Sequence, residues 1–296
     1  MADIVSSTTQ QDDNHSNAHA NGHPGPNGTT TPNLTADRFR VRAEVTGADE
    51  DRHHPLELKP IKVGNPPPSR IPNTPLSVAT ISFLLGTVFA FGLTVCFLGE
   101  SWGLWWSRYQ LGIYIAAWAV FHWGEFAVTA GWNLEKCSVD SFLLENGSTY
   151  HLAHTSALFE YLITLHFKPE LKSYPYISII GLVLLIIGQA LRSAAMVHAS
   201  TSFSHQVAFR KLDSHRLVTD GIYAWFRHPS YAGFFYWALG TQLLLQNPAN
   251  FVFFAIILWR FFYHRIGPEE VALVRFFGQA YVDYRAQVGT RIPFIP

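Results

Sequence analysis

Charge is scarce in this sequence. Of its 296 residues only 14% are Asp, Glu, Lys or Arg, against roughly 25% in an ordinary soluble domain, while 48% are hydrophobic and 15% aromatic. Basic and acidic residues balance at 21 each, so no excess of positive charge indicates a nucleic-acid partner. This composition argues against a soluble globule and favours a chain that contacts membrane lipid.

Cysteine is also scarce, and nucleotide-binding turns are missing. Cys96 and Cys137 are too few for a secreted disulfide framework or a four-ligand zinc site, and we expect no metal. No strand precedes a Gly-x-Gly-x-x-Gly turn, which argues against a Rossmann-type site. No apolar segment lies near Met1, so the sequence does not predict a cleaved signal peptide.

Residues 1–70 differ in composition from the rest. They are rich in Asn, Ser, Thr, Gly, His, Asp and Pro and contain almost no aromatic side chains, which predicts a disordered tail. Its histidines are irregularly spaced and lack accompanying cysteines, so we interpret them as solvated rather than metal-binding. The remainder, residues 71–296, is predicted to be a membrane domain.

Apolar stretches divide that domain into helices. Leu76–Leu98 contains no charged residue and is long enough to cross a hydrocarbon core about 30 Å thick. The sequence predicts an all-α, polytopic integral membrane protein with about six, and at most eight, transmembrane helices. Its last pair forms a helical hairpin with a turn at 246–250, and Gly181, Gly188 and Ala195 allow close helix packing. The predicted spans are approximately Leu76–Leu98, Leu111–Ala130, Leu152–His166, Tyr176–Met196, Tyr231–Leu245 and Phe251–Tyr263.

The distribution of basic residues predicts the orientation. They concentrate before the first span, in the loop 198–226 and in the C-terminal segment, and few lie in the opposite loops. Because basic loops stay in the cytosol, both termini and the loop 198–226 are predicted to be cytosolic. The same topology places Asn146, which lies in a glycosylation sequon, in the cytosol and therefore leaves it unmodified.

Ionisable residues flank the predicted hairpin on its cytosolic side. They lie between Arg192 and Arg227 and again between His264 and Arg285, so residues 198–296 are predicted to be the cofactor-binding and catalytic region, with a pocket at the cytosolic face. Pro229 suits the first position of a helix. The N–H groups of that helix would attract an anion, and Glu269 would complement an amine or a ribose hydroxyl.

Several motifs are similar to one known family. The segment LVTDGIYAWFRHPSYAGFFYWALGTQLLLQNP at 217–248, the acids Glu269 and Glu270, FFGQAYVDY at 276–284 and the terminal RIPFIP resemble the isoprenylcysteine carboxyl methyltransferase family. FHWGEF at 121–126, SVDSFLLENGSTY at 138–150 and LRSAAM at 191–196 resemble the same family. The resemblance covers residues 76–296.

The resemblance implies an enzyme that methylates the carboxylate of a C-terminal S-prenylcysteine, with S-adenosylmethionine as cofactor. It implies residence in the endoplasmic reticulum membrane with a cytosolic active site, and prenylated proteins such as small GTPases as partners; it leaves oligomerisation open. Arg265 corresponds to a substrate-binding arginine, and Ala208 stands where some relatives have a cofactor-contacting Gln. The cofactor-binding positions implied are His215, Arg216, Leu217, Val218, Tyr223, His228, Pro229, Ser230, Tyr231 and Glu269.

The chemistry of methyl transfer fits these residue types. A carboxylate with an ordinary pKa of about 3.5 is ionised at neutral pH, so no general base is required. Arginine offers a charged, planar donor for it, and we assign this catalytic role first to Arg265 and second to Arg192. Alternatively, both arginines anchor helix ends at the membrane surface. His122 and Glu125 are three residues apart and share a helix face, so a hydrogen bond between them would give both a structural role.

Two other functions remain open at this stage. The first is an NADPH-dependent membrane sterol or steroid reductase, because such enzymes share a C-terminal Arg-His-x-x-Tyr region. The second is a transporter or membrane scaffold. Ionisable residues that cluster at one face rather than at mid-membrane, with no visible inverted repeat, argue against transport.

Overall fold

A computed structural model describes residues 71–207, 211 and 215–296. Helices make up most of this part of the chain, and no β-strand occurs within it, which confirms the all-α class. The predicted disordered tail, residues 1–70, and Ala208 lie outside the described residues. The helices are α1 Pro75–Leu98, α2 Tyr109–Trp132, α3 Ser148–Phe167, α4 Pro175–Ala199, α5 Pro229–Leu244, α6 Pro248–Phe277 and α7 Gln279–Gln287.

Proline marks the start of four of these helices. Pro75, Pro175, Pro229 and Pro248 each occupy the first helical position, where the missing N–H costs no hydrogen bond and the fixed φ suits the helix. The predicted helix start at Pro229 is therefore confirmed.

Three segments are long and apolar enough to cross a membrane: Pro75–Trp102, Tyr109–Trp132 and Pro175–Ser202. Helix α5 has only 16 residues. Helix α6 has 30, but its C-terminal half carries charged side chains. Length and hydropathy thus establish an integral membrane architecture, while six crossings remain a prediction.

Glycine allows two helix pairs to approach closely, α1 with α2 and α4 with α5. A Cβ added to Gly188 would lie 2.5 Å from the backbone nitrogen of Trp237, and one added to Gly181 would lie 2.2 Å from that of Leu244. Ala195 on the same face of α4 is fully buried. The prediction that these small residues serve packing is confirmed, because any larger side chain would separate the backbones.

A polar cluster closes the hairpin between α5 and α6. The ammonium group of Lys172 donates to the carbonyls of Leu245 and Gln246 and to Oδ1 of Asn247, at 3.1, 2.8 and 2.7 Å. These bonds satisfy carbonyls that the end of α5 leaves without helical partners. Burial lowers the pKa of Lys172 to about 8. The predicted turn is confirmed, although α6 already begins at Pro248.

The predicted end of the last span at Tyr263 is wrong as a helix boundary. Helix α6 continues to Phe277 and passes through Pro268. The prediction followed the loss of apolar character after Tyr263, whereas helix geometry continues into a polar segment. Buried residues beyond that point, among them Ile266, Glu270 and Ala272, show that tertiary packing holds this extension in place despite the hydrogen bond lost at proline.

Candidate active site

An open cleft lies where the end of α4 and the start of α5 meet α7 and the C-terminal half of α6. The cleft is about half open to solvent, and together with that open space its empty volume is about 710 Å³. The lining residues are Ala199, Ser202, Phe203, Ser204, Arg216, Leu217, Val218, Tyr223, Arg227, His228, Pro229, Ser230, Tyr231, Glu269, Leu273, Phe277, Tyr281 and Tyr284.

The structure brings all the predicted cofactor residues except His215 to the lining of this cleft. His215 is half-buried nearby. Burial, together with the charges of Lys136 and Lys211, lowers its pKa, so the imidazole is neutral at pH 7. Arg265 and Arg192 are also absent from the lining, but each contacts a residue that belongs to it.

The start of α5 forms one side of the cleft. His228 has φ −125° and ψ 66°, outside the helical region, because the following proline disfavours helical dihedrals. Its ring then stacks on the ring of Tyr231, with 5.4 Å between centroids and 5° between planes. The non-helical backbone at His228 and the stacked rings place His228, Ser230 and Tyr231 on the same wall of the cleft.

Arg265, Tyr231 and Glu269 form a connected chain. The hydroxyl of Tyr231 accepts from Nε of Arg265 at 2.9 Å and donates to Oε2 of Glu269 at 2.5 Å. Arg265 and Glu269 are four residues apart on α6 and therefore share a face. Nη2 of Arg265 donates to the main-chain carbonyl of His205. Among the described residues no acceptor for Nη1 is found.

Arg192 is held by Glu125. Nε and Nη2 each donate to one carboxylate oxygen, the latter at 2.7 Å, and Nη1 donates to the carbonyl and hydroxyl of Ser230 at 3.2 and 3.0 Å. Both side chains are buried, where a charge requires a partner. Arg192 therefore directs its donors into the protein and reaches the cleft only through Ser230.

His122 and Glu125 do not hydrogen-bond each other. Nδ1 of His122 contacts the carbonyl of Phe142 and Nε2 contacts the hydroxyl of Tyr150, both at 2.7 Å. Glu125 instead pairs with Arg192 and His205. Each side chain has met a partner on another element, which spacing along one helix does not reveal.

A buried ion cluster forms the base of the cleft. Its two central residues, Arg227 and Glu270, were not predicted as site residues. Nε of Arg227 lies 2.5 Å from Oε1 of Glu270, which also contacts Nε2 of His228 at 3.1 Å. Arg227 also donates to the carbonyls of Val288 and Pro296, both at 2.6 Å. These bonds hold the C-terminal segment against the residues that lead into α5. Arg227 and Glu270 both belong to the sequence motifs quoted above, and this membership was the sequence feature that could have identified them.

Tyrosines form the opposite wall. Tyr284 donates to the carbonyl of Tyr223 at 2.7 Å, and Tyr223 donates to that of Ala195 at 3.2 Å. Burial raises the pKa of Tyr284 to about 12 and also raises those of Tyr223 and Tyr281. These rings therefore stay neutral at physiological pH and present flat apolar faces. Tyr281, Tyr284 and Phe277 were not predicted, because nothing local shows that α7 packs against α6 and the segment before α5.

We expect Arg227→Met to destabilise the protein by about 3–5 kcal/mol, because it leaves the buried Glu270 carboxylate with fewer compensating charges. Thermal unfolding in detergent measures this loss. The matched control is Arg285→Gln, since Arg285 pairs with the same carboxylate at 3.1 Å but its side chain is 50% exposed. That change should cost less than about 1 kcal/mol. Equal melting temperatures for the two variants would contradict the proposed difference.

Comparison with known proteins gives consistent similarities. A sequence model of the isoprenylcysteine carboxyl methyltransferase family matches residues 180–275. The human protein-S-isoprenylcysteine O-methyltransferase is 42% identical over 218 residues, which cover 74% of this chain and 75% of the relative. The enzyme of the same name from Saccharomyces cerevisiae is 44% identical over 192 residues, with 63% and 80% covered.

A solved structure is similar over nearly the same length. It is described as the eukaryotic intramembrane Ras methyltransferase ICMT without a monobody. The TM-score is 0.70 at 40% sequence identity, and the similarity covers 74% of this chain and 77% of that one.

Proposed function

Because the chain belongs to the isoprenylcysteine carboxyl methyltransferase family, we propose that it methylates the carboxylate of a C-terminal S-prenylcysteine at the cleft beside α5, with S-adenosylmethionine as donor. The observation that carries this proposal is the meeting of residues 216–231 with residues 269–284 in one cleft. Those two segments hold the family motifs. Family membership favours methyl transfer over the reductase and transporter alternatives.

The cleft residues fit the donor chemically. When bound, S-adenosylmethionine supplies a methyl group on a positively charged sulfur and also carries an adenine, a ribose, an amine and a carboxylate. Aromatic faces such as those of Tyr223 and Phe277 suit the adenine. Glu269 would hold the amine or a ribose hydroxyl, and Arg216 and the start of α5 would hold the carboxylate.

Arg265 is proposed to orient the acceptor carboxylate. Its Nε and Nη2 are held by Tyr231 and His205, so the guanidinium is fixed in direction, and Nη1 would bond one carboxylate oxygen. A fixed donor reduces the freedom of the reacting oxygen, and such alignment is a major source of rate enhancement. Arg192 is proposed to act less directly, by holding Ser230 in the cleft wall.

Water exclusion is the second contribution of the protein. In the proposed reaction a carboxylate oxygen would bond to the methyl carbon while the bond from that carbon to the sulfonium sulfur breaks, which leaves a neutral methyl ester and a neutral thioether. Because both charges disappear, water stabilises the separated reactants more than the transition state. The apolar rings that line the cleft would reduce this solvation. An ordinary carboxylate is already ionised at neutral pH, so no side chain has to remove a proton.

The proposed location is the endoplasmic reticulum membrane, with six crossings and the cleft on the cytosolic side. The ends of α2 and α4 lie together, since Ser200 donates to the carbonyl of Trp132 at 2.7 Å. The starts of α4 and α6 meet at the other end of the bundle through Lys172 and Asn247. This alternation, together with the basic loops beside the cleft, supports the orientation. Prenylated proteins, including small GTPases, are the proposed acceptors.

A thermal-shift and methylation assay tests the function. We expect S-adenosylmethionine, but not NADPH, to raise the melting temperature of the purified protein, because a ligand that binds only the folded state stabilises it. We also expect transfer of labelled methyl to a prenylated cysteine analogue, and none to the same compound with a carboxamide in place of the carboxylate. Stabilisation by NADPH alone, or labelling of the carboxamide, would contradict the proposal.

A further inference from the structure

Glu125 is a buried carboxylate on α2 that the reaction as described does not use. Its side chain is 1% exposed, and both oxygens are engaged, by the guanidinium of Arg192 and by Nε2 of His205 at 3.0 Å. A carboxylate at this depth needs such compensation. The more informative feature is what the second partner, His205, contacts in turn.

His205 joins the environments of the two arginines. Its ring contacts Glu125, which holds Arg192, while its main-chain carbonyl accepts from Nη2 of Arg265. The carbonyl and the hydroxyl of Tyr231 are the two acceptors that fix the guanidinium of Arg265. The direction of Nη1 therefore depends on where the backbone of residue 205 lies, and the ring of His205 ties that backbone to α2.

The preceding residues are attached to the segment that follows α2. Lys136 donates to the carbonyls of Thr201 and Phe203 at 2.6 and 2.8 Å, and Asn133 donates to that of Phe203 at 2.9 Å. Phe203 lines the cleft. Removal of the His205 ring would leave these bonds in place, so the cleft wall at Phe203 would be retained. The backbone of residue 205 would lose the bond from its ring to Glu125, and its carbonyl would no longer be held in position.

We propose that Glu125 and His205 are positioning residues for methyl transfer. Through the His205 carbonyl they set the direction of the Arg265 guanidinium that receives the acceptor carboxylate. This inference rests on the proposed function of Arg265. Glu125 lies on α2 outside the cleft lining, and the inference gives it an influence on the acceptor and not on the methyl donor.

The test distinguishes an effect on the acceptor from an effect on binding of the methyl donor. His205→Ala is expected to lower kcat/KM for a prenylated cysteine analogue about tenfold, while the dissociation constant for S-adenosylmethionine changes less than about twofold. His205→Gln, whose amide can donate to Glu125, should restore most of the activity. His166→Ala, an exposed histidine at the end of α3, is the matched control and should behave as the parent.

A double-mutant cycle with Arg265→Ala decides whether His205 acts through Arg265. In that background His205→Ala should lower the residual rate by less than about twofold, because the group that it positions is gone. The inference is overturned if the parent is active and His205→Ala retains full activity, if the tenfold loss persists without Arg265, or if His205→Gln is as impaired as His205→Ala. A parent that transfers no methyl group would instead overturn the proposed function.

Discussion

Arg265→Ala should lower kcat/KM for a prenylated cysteine analogue about 100-fold, which is the cost of misplacing a reacting group by about an ångström. The variant loses the donor that Tyr231 and His205 hold in place. Because Arg265 does not line the donor cleft, binding of S-adenosylmethionine should change little. Steady-state kinetics with labelled donor and a binding measurement on the same preparation give both quantities.

Two variants control this experiment. Arg275→Ala removes an exposed arginine from the same helix and should keep parental activity. Arg265→Lys keeps the charge but loses the planar fork, so it should recover only part of the loss. If Arg265→Ala retains more than half of the parental kcat/KM, Arg265 has a structural role and is not a substrate ligand.

Glu269→Ala should weaken S-adenosylmethionine binding about 10- to 100-fold, the range expected when a charged hydrogen-bonding group is removed. Glu269 lines the cleft and accepts from the Tyr231 hydroxyl at 2.5 Å, so the variant loses an acceptor for the donor and also releases a tyrosine of the wall. The thermal stabilisation produced by S-adenosylmethionine should therefore disappear at concentrations that protect the parent.

Glu145→Ala is the matched control, because Glu145 is exposed and lies outside the cleft. Its donor affinity should equal that of the parent. A Glu269→Ala protein with full activity and unchanged donor binding would remove Glu269 from the site. A variant that melts at a much lower temperature without ligand would show a structural role instead, and Glu269→Gln, which keeps the size of the side chain, then separates the two effects.

The sequence was a reliable guide to helices and a poorer guide to their ends. Apolar runs and prolines predicted the helices and the start of α5, because burial in lipid and the fixed φ of proline are local constraints. The end of α6 was misplaced at Tyr263, since apolarity stops there but helix geometry does not. Contacts with other elements hold the remaining turns, and such contacts are invisible in a single segment.

The candidate site was also predicted only in part. Motif residues such as His228, Tyr231 and Glu269 are indeed neighbours in one cleft, although their roles remain predictions. The pairing of Glu125 with Arg192 joins residues that lie 67 positions apart. Helical spacing suggested His122 as the partner of Glu125 instead, because a single sequence shows which residues share a helix face and not which helix that face meets.

The backbone contact between α4 and α5 bears on how the proposed methyl donor would leave the cleft after transfer. Gly188 and Gly181 lie against the main chain of α5, so these two helices cannot separate locally without losing that contact. Under the proposed function we therefore expect product release to proceed by displacement of α7, which carries Tyr281 and Tyr284, and not by separation of α4 from α5.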